Sequence, residues 1–497
     1  MAKSVSSFEL SLNQRSEHQT RAQWLYSELR TAILHGRLKT GVRLPASRDF
    51  ARRYGLSRGT VVRVFERLHD EGYLCSRVGL GTWVNSNVLA KDVARKSAVR
   101  TPEYIRRAVS GYVHPKPLIG WPKLKVGQPF GMRNPALAEF PAKVWARIAA
   151  KRARAFRSWL NEDDDGAGYR PLREAVAHYL GSSRGVRCTA DEVVIVSGVQ
   201  QALDLLARLL LVPGDPVWME DPGYFGSAIA LQRAGARLIP VPLDEHGLSV
   251  SAGMKLCPQA RGVFLTPAHQ FPLGVTMPLS RRMEVLEWAA NTGAFVIEDD
   301  YDSEYRFCGQ PIPAMQGLDR NDNVIFIGTF TKLLFPSLRL GYMVLPSALV
   351  GTCVKFRRGA ELRMVGLDQA ILCDFIVDGH LGRHLRRMRE LYATRLEALQ
   401  DGGRRYLKGL LDISDTQAGL YTAAYLRNRM TSRQAETAAL ANNVNTKALD
   451  RFTLQQPDPR GLLLGFASFD EKTIRQGLVR LAEALGKPLT RQSIPAS

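Results

Sequence analysis

The sequence predicts two differently built parts: a small α+β unit of three helices and a hairpin, then a large α/β unit with a largely parallel sheet. Three observations predict this. Three helical spacings, each ended by a glycine and together followed by a Gly-containing turn, fill residues 18–86. Beyond residue 120, short apolar runs alternate with amphipathic helices, the pattern of layered α/β structure. Between them, residues 87–120 are basic, carry Pro102, Pro115 and Pro117, and sustain no period. That stretch reads as a linker. The predicted units are therefore 18–86, 87–120 and 121–487.

From Gln23 to His35, Leu25, Leu29, Ala32 and Ile33 follow helical spacing, and Gly36 supplies a stop. LPASRDFARRYG predicts a second helix, with Ser47 as its N-cap and Gly55 past its end. Ser57 caps a third, SRGTVVRVFERLHDEG, whose inward stripe is Val61, Val62, Phe65 and Leu68 and whose stop is Gly72. YLCSRVGLGTWV then reads as two short strands around a turn. This order of elements is a winged helix-turn-helix. In the larger unit, strands are expected at VVIVSG (193–198), PVWMED (216–221), RGVFLTP (261–267), AFVIEDD (294–300), NVIFIGTF (323–330) and LGYMVLP (340–346).

The 497 residues carry a net charge of +21 and are 45% hydrophobic, enough apolar content to exclude wholesale disorder. The charge is uneven. Residues 1–90 hold 14 Lys/Arg against 7 Asp/Glu, and residues 91–120 hold 7 against 2, leaving only +9 to the rest. Such a density points to a polyanion partner. The six cysteines form no close pairs, which excludes CxxC metal or redox motifs and argues against a disulfide framework. No metal site is expected. MAKSVSSFELSLNQRSEHQT holds no apolar core of signal-peptide length, and even LDLLARLLLV carries Arg208. The expectation is a reduced, cytoplasmic protein with no membrane association.

On the third helix, the face opposite the stripe is predicted to carry Arg58, Gly59, Thr60, Arg63 and Arg67. Arg58 and Thr60, near its start, are predicted to read base edges in a major groove. Arg48, Arg52 and Arg53 on the preceding helix are predicted to hold phosphates. RLPASRDFARRYGLSRGTVVRVFERLHDEGYLCSRVGLGTWV resembles the GntR family of bacterial repressors over roughly residues 18–85. The resemblance implies a double-stranded DNA operator as partner, contacted by Arg48, Arg58, Gly59, Thr60 and the wing glycine Gly79.

The second informative stretch is IGTFTKLLFPSLRLGY, with Lys332 just past a strand, Thr329 three residues before it and Arg339 seven after. A lysine at an apolar strand end loses its proton cheaply, and a neutral amine attacks an aldehyde to form a Schiff base. Thr329 and Arg339 suit a phosphate, as do the backbone N–H groups that open the helix after VVIVSG. The carboxylate of EDDYD can keep a pyridine nitrogen protonated, and the tyrosine of DPGY offers a ring to stack on. Each motif alone is ordinary: T-x-x-K is most often a surface lysine, and EDDYD most often a solvated loop. One molecule, pyridoxal 5′-phosphate (PLP), accounts for all five.

Residues 122–485 resemble the fold type I, aspartate-aminotransferase-like enzymes. GYRPLREAVAHYL, EDDYDSEYR and GTFTKLLFPSLRLGY, taken with the N-terminal unit, resemble the MocR/GabR-like subfamily of GntR regulators. The resemblance implies a PLP cofactor in Schiff base linkage with Lys332, Asp299 on its ring nitrogen, Tyr301 on its phenolic oxygen and Tyr224 stacked on its ring. Thr329, Arg339 and the backbone around Val199 and Gln200 would hold the phosphate. TPAHQFPLG replaces the Asn-Pro of true aminotransferases, as in this subfamily, with His269 or Gln270 near the site. A homodimer is implied, because fold type I sites form at a subunit interface. One departure stands out. Where these enzymes carry an arginine in an R-L-G-F-like strand to fork onto the substrate carboxylate, GLLLGFAS has Leu463, and Arg460 is out of register.

The expected function is a transcriptional regulator whose aminotransferase-like domain senses PLP, or a small-molecule effector, an amine or amino acid, that reacts with it. Two alternatives stand beside it. A working aminotransferase with an accessory DNA-binding domain is opposed by Leu463, since turnover needs the substrate held in place. A cofactor-free regulator that keeps the fold for dimerisation is opposed by the joint presence of Lys332, Asp299 and Arg339.

Overall fold

The computed structural model describes residues 10–13, 15, 19–77, 81–85, 128–132, 134–155, 166–307, 313–360 and 366–486. The chain divides into two compact units, Met1–Pro117 and Leu118–Ser497. The linker expected over 87–120 and the wing glycine Gly79 lie outside the described residues.

In the first unit, α1 (Arg21–Leu34) starts with a capping box between Thr20 and Gln23, and buries Leu25, Leu29, Ala32 and Ile33. α2 (Ser47–Arg53) and α3 (Arg58–Asp70) follow. Gly36, Gly55 and Gly72 take φ of 72°, 63° and 77°, the left-handed turn that ends a helix without a Cβ penalty. Two details correct the sequence reading. Ala46 is the N-cap of α2, and Ser47 is already helical and makes no capping bond; Asp49 in the first turn favours the helix start instead. In α3 the inward stripe runs Val61, Val64, Phe65, Leu68, the i, i+3, i+4, i+7 set, so Val64 stands where Val62 was expected. The hairpin forms from β2 (Leu74–Arg77) and β3 (Gly81–Val84), and gains a third strand, β1 (Arg43–Leu44), on the far side of β3. Gly81, which opens β3, takes φ 111°, a conformation that favours glycine.

The second unit is built on an eight-stranded sheet. Its strands are β4 (Val193–Val196), β5 (Pro216–Asp221), β6 (Arg237–Asp244), β7 (Gly247–Leu248), β8 (Gly262–Leu265), β9 (Phe295–Asp300), β10 (Val324–Thr329) and β11 (Gly341–Val344), in the order β4-β11-β10-β9-β8-β5-β6-β7. β10, β9, β8, β5 and β6 are parallel, while β11 runs antiparallel to β10 and β4. All six apolar runs form strands. β6 was not foreseen, because RLIPVPLD carries Pro240 and Pro242, residues that lack an N–H for a ladder.

Both faces of the sheet are covered. Val194 and Val196 pack with Leu203 and Leu206 of the helix Val199–Leu210 on one side. Val193 and Ile195 pack with Leu172 and Val176 of the helix Arg170–Arg184 on the other, as the two-residue period of a strand requires. A smaller antiparallel sheet, in the order β12-β13-β15-β14, comprises β12 (Leu411–Ile413), β13 (Tyr421–Leu426), β14 (Lys447–Ala448) and β15 (Gly461–Gly465). No described helix is long and apolar enough to cross a membrane, and the five described cysteines are free thiols.

Candidate functional site

The register of the large sheet gathers the C-terminal motifs onto one rim. Asp299 on β9 pairs with Ile327 and Asp300 with Gly328, while Thr329, the last residue of β10, pairs with Gly341 at the start of β11. Gly341 also pairs with Val196, the last residue of β4. The carboxyl ends of the parallel strands therefore bring Val199, Gln200, Tyr224, Asp299, Tyr301, Thr329, Lys332 and Arg339 to the same edge, the edge where open α/β sheets bind ligands.

One part of the rim suits an anion. Gly198 caps the helix Val199–Leu210 with φ 90° and ψ 171°, a conformation that favours glycine. Beyond it the first backbone N–H groups of the helix point outward with the positive end of the dipole. Gln200 Nε2 donates to the Gly226 carbonyl at 3.0 Å, tying this helix start to the helix Phe225–Arg233, whose N-cap is Tyr224. A Cβ on Gly226 would lie 2.4 Å from the Tyr224 ring, so glycine is what lets that ring lie back, edge-on to Phe271 at 5.8 Å. Buried Thr329 accepts the Thr331 N–H at 3.1 Å, and half-buried Lys332 follows. Arg339 is exposed and left-handed, φ 52° and ψ 30°, uncommon for a residue with a side chain.

The other part is acidic and buried. Asp299 is nearly enclosed, and its Oδ1 has no hydrogen-bond partner. Burial, then the neighbouring Asp300, Asp302 and Glu220, hold its carboxyl well above the usual carboxylate range, against the opposing charge of Lys332. Asp300 accepts from Arg184 Nε at 2.7 Å. Asp302 holds His269 Nδ1 at 3.0 Å, and Tyr301 donates to the His269 carbonyl at 2.8 Å. Gln270 instead donates to the backbone carbonyls of Pro222 and Phe271 at 3.0 and 2.5 Å. Of the two residues left open by the sequence, His269 is thus the one beside Tyr301. Glu220 accepts from Thr266 Oγ1 at 2.6 Å, and burial pushes its carboxyl up to about 7.

Sequence reasoning missed four of these groups: Glu220, Asp221, Asp302 and Tyr421. Asp302 lay unremarked inside EDDYD, whereas Tyr421, whose hydroxyl meets that of Tyr301, is 120 residues away and carried no signal. Asp221 accepts the N–H groups of Leu454, Gln455 and Gln456 at 2.7, 2.8 and 2.9 Å, anchoring the loop before β15 to the rim. On β15, Leu463 is fully buried between Ala423 and Lys447. Lys447 is paired with Glu436 at 3.3 Å, and Arg460 donates to the Asn428 carbonyl.

On the first unit, Arg48, Arg52, Arg53, Arg58, Gly59 and Arg63 are exposed on α2 and α3. Arg67 is engaged with Glu71 at 2.9 Å and lies over the Tyr26 ring. Thr60 corrects the expectation of an exposed base reader. It is buried, four residues before Val64 on the inward face, and its hydroxyl lies 2.8 Å from that of Ser57, which caps α3 by accepting the Thr60 N–H at 3.2 Å.

Comparison with known proteins fits both units. Residues 21–84 match the profile described as bacterial regulatory proteins, gntR family, and residues 124–481 match aminotransferase class I and II. The chain is 39% identical over 466 residues to the probable rhizopine catabolism regulatory protein MocR of Rhizobium meliloti, covering 93% of this chain and 92% of that protein. It is 30% identical to the pyridoxine biosynthesis transcriptional regulator PdxR of Corynebacterium glutamicum, over 93% of this chain and 95% of that one. Among solved structures it is similar to LysN, the α-aminoadipate aminotransferase of Thermus thermophilus complexed with N-(5′-phosphopyridoxyl)-L-leucine. That likeness has a TM-score of 0.67 at 28% identity and covers 72% of this chain and 92% of that one.

Proposed function

The chain belongs to the MocR-like branch of the GntR family of bacterial regulators, which joins a winged helix-turn-helix to a fold type I aminotransferase-like domain, and from that premise we propose how its two parts work. It is a transcriptional regulator, and the aminotransferase family it shares is PLP-dependent. Our reading is that this chain holds PLP on the rim of its large sheet and senses the cofactor itself, or an amine or amino acid that reacts with it.

The observation that carries the reading is Asp299. A buried carboxylate with one oxygen lacking any donor, on the same rim as Lys332, is costly by itself. A protonated ring nitrogen supplies both the missing donor and the counter-charge, so these residues fit PLP. When bound, PLP supplies an electrophilic carbon for amines and an electron-withdrawing ring. Lys332 would be the covalent anchor, Asp299 would keep the ring nitrogen protonated, Tyr301 would donate to the ring oxygen and Tyr224 would stack on the ring. The N–H groups of Val199 and Gln200, with Thr329 and Arg339, hold the phosphate.

On DNA, α3 lies in the major groove of a double-stranded operator. Arg58 forks onto a guanine, Gly59 lets the backbone approach, and Arg48 holds phosphate with Arg52 and Arg53. Gly79, outside the described residues, is a further DNA contact that the family resemblance implies, and Thr60 keeps the start of α3 in place. The working form is a homodimer. An active aminotransferase is the weaker reading, because Leu463 cannot make the bidentate carboxylate contact.

The test is direct. Protein loaded with PLP should be yellow, borohydride should fix the cofactor to the chain, and Lys332→Ala should abolish that fixed adduct. An adduct that survives in the alanine variant overturns the Lys332 assignment.

A further inference from the structure

Tyr421 opens β13 and meets the rim from the smaller sheet. Its ring lies parallel to that of Tyr301, within 5° at a centroid separation of 6.4 Å, and the two hydroxyls touch. The placement depends on its surroundings. Its register partner on β15 is Gly465, which offers no side chain. Gly419, two residues earlier, has φ 91°, and a Cβ there would fall 2.1 Å from His269 Cε1 and 2.8 Å from Asp302 Oδ2. The chain can enter β13 this close to the His269–Asp302 pair only through glycine. The His269 ring then packs on the Tyr421 ring at 5.3 Å and 28°.

Proton counting gives this contact a direction. A phenol has one proton to donate and can also accept. Tyr301 donates to the His269 carbonyl at 2.8 Å, and the His269 Nδ1 proton faces the Asp302 carboxylate at 3.0 Å. His269 Nδ1 also lies 3.2 Å from the Tyr301 oxygen, but its proton is taken by the nearer, acceptor-only Asp302 carboxylate, which leaves the proton of Tyr421 for that oxygen. We infer that Tyr421 is a positioning residue of the site: it donates to Tyr301, whose single proton, given to the His269 carbonyl in this structure, would turn to the ring oxygen of PLP once the cofactor is bound, and so it strengthens Tyr301 as the donor there. The inference rests on the PLP reading above. Hydrogen bonds in series polarise one another, most strongly where water is excluded; Tyr421 is buried and Tyr301 half-buried, both have Asp299 and Asp302 as charged neighbours, and Lys332 is close to Asp299.

The test is a pH titration of the visible absorption of the full-length, PLP-loaded protein. A donor to the ring oxygen weakens the hold on the proton shared between that oxygen and the Lys332 nitrogen. Tyr421→Phe keeps the ring and removes only the hydroxyl, so the absorption midpoint should rise by about half a pH unit. Tyr301→Phe should raise it further, and in that background Tyr421→Phe should add nothing. Tyr421→His, which restores a ring N–H, serves should the phenylalanine variant fold poorly, and its midpoint should fall between wild type and Tyr301→Phe. Packing alone would change the melting temperature and leave the midpoint in place. A coloured wild type with an unmoved midpoint in Tyr421→Phe, or equal shifts with and without Tyr301, overturns this inference alone. A wild type that takes up no PLP overturns the cofactor reading and this inference together.

Discussion

Leu463 stands directly opposite Ala423 in the antiparallel pair of β15 and β13, and both side chains are fully buried. On the resemblance to fold type I enzymes, Leu463 stands where they carry the carboxylate-binding arginine, and here it belongs to the core. Loss of a charge-assisted bond typically costs about 1.5–3 kcal/mol, a loss of affinity of roughly tenfold to 150-fold. Common α-amino acids should therefore bind weakly and transaminate negligibly, while PLP alone should change operator affinity. Absorbance titrations with amino acids, beside operator binding by cofactor-free and PLP-loaded protein, check this. Rapid turnover with any α-amino acid and its keto acid would show the regulator-only reading to be wrong.

The acidic part of the rim should make the cofactor-free protein sensitive to pH. Glu220 is raised from 4.5 to about 7 by burial, so the folded chain retains a proton that the unfolded chain releases. Its contribution to stability is full below pH 4.5 and is lost as the pH rises through 7. The loss is of the order of 3 kcal/mol; Asp299 acts in the same direction, as does Glu304, a carboxyl that accepts from the Tyr179 hydroxyl at 2.8 Å and is also raised by burial. Glu220→Gln, which can still accept from Thr266, should flatten this dependence in urea unfolding at pH 5 and pH 8. Identical slopes in the two proteins would count against Glu220.

Arg58→Ala should reduce discrimination between operator and random DNA by about 1–3 kcal/mol, the worth of a bidentate arginine–guanine contact. Arg52→Ala should weaken both kinds of DNA together, because a phosphate contact carries little sequence information. Competition binding at fixed salt separates the two. Equal losses on both DNAs for Arg58→Ala would remove it from base readout.

Thr60 and Ser57 should behave as one unit at the start of α3. Ser57→Ala removes the cap and should cost about 1 kcal/mol. Thr60→Ala should lower the melting temperature of the N-terminal unit and leave the operator-to-random ratio nearly unchanged. A ratio that collapsed with stability intact would return Thr60 to the DNA surface.

Much of the scaffold was legible in local patterns. The four buried residues of α1, the Ser57 cap of α3, the glycine stops and all six apolar strands follow from periodicity and turn chemistry, which act within a few residues. The order Thr329, Lys332, Arg339, with EDDYD and DPGY, likewise pointed to one cofactor, because the chemistry of phosphate, amine and ring constrains residue type. Local signals failed where two side chains in neighbouring turns compete for one face, as Thr60 and Val64 against Val62 show. They failed again at β6, where two prolines masked a strand held by its neighbours.

The sequence by itself determined the kinds of units, most of their elements and the residue types the chemistry needs. Only the tertiary structure decided that His269 rather than Gln270 stands beside Tyr301, that Asp299 keeps an oxygen without a donor, and that Tyr421 meets Tyr301 from a second sheet. Those facts depend on strand register and on which surfaces exclude water. Residues 120 positions apart meet there because separate sheets pack together, and no local pattern in the chain encodes that meeting.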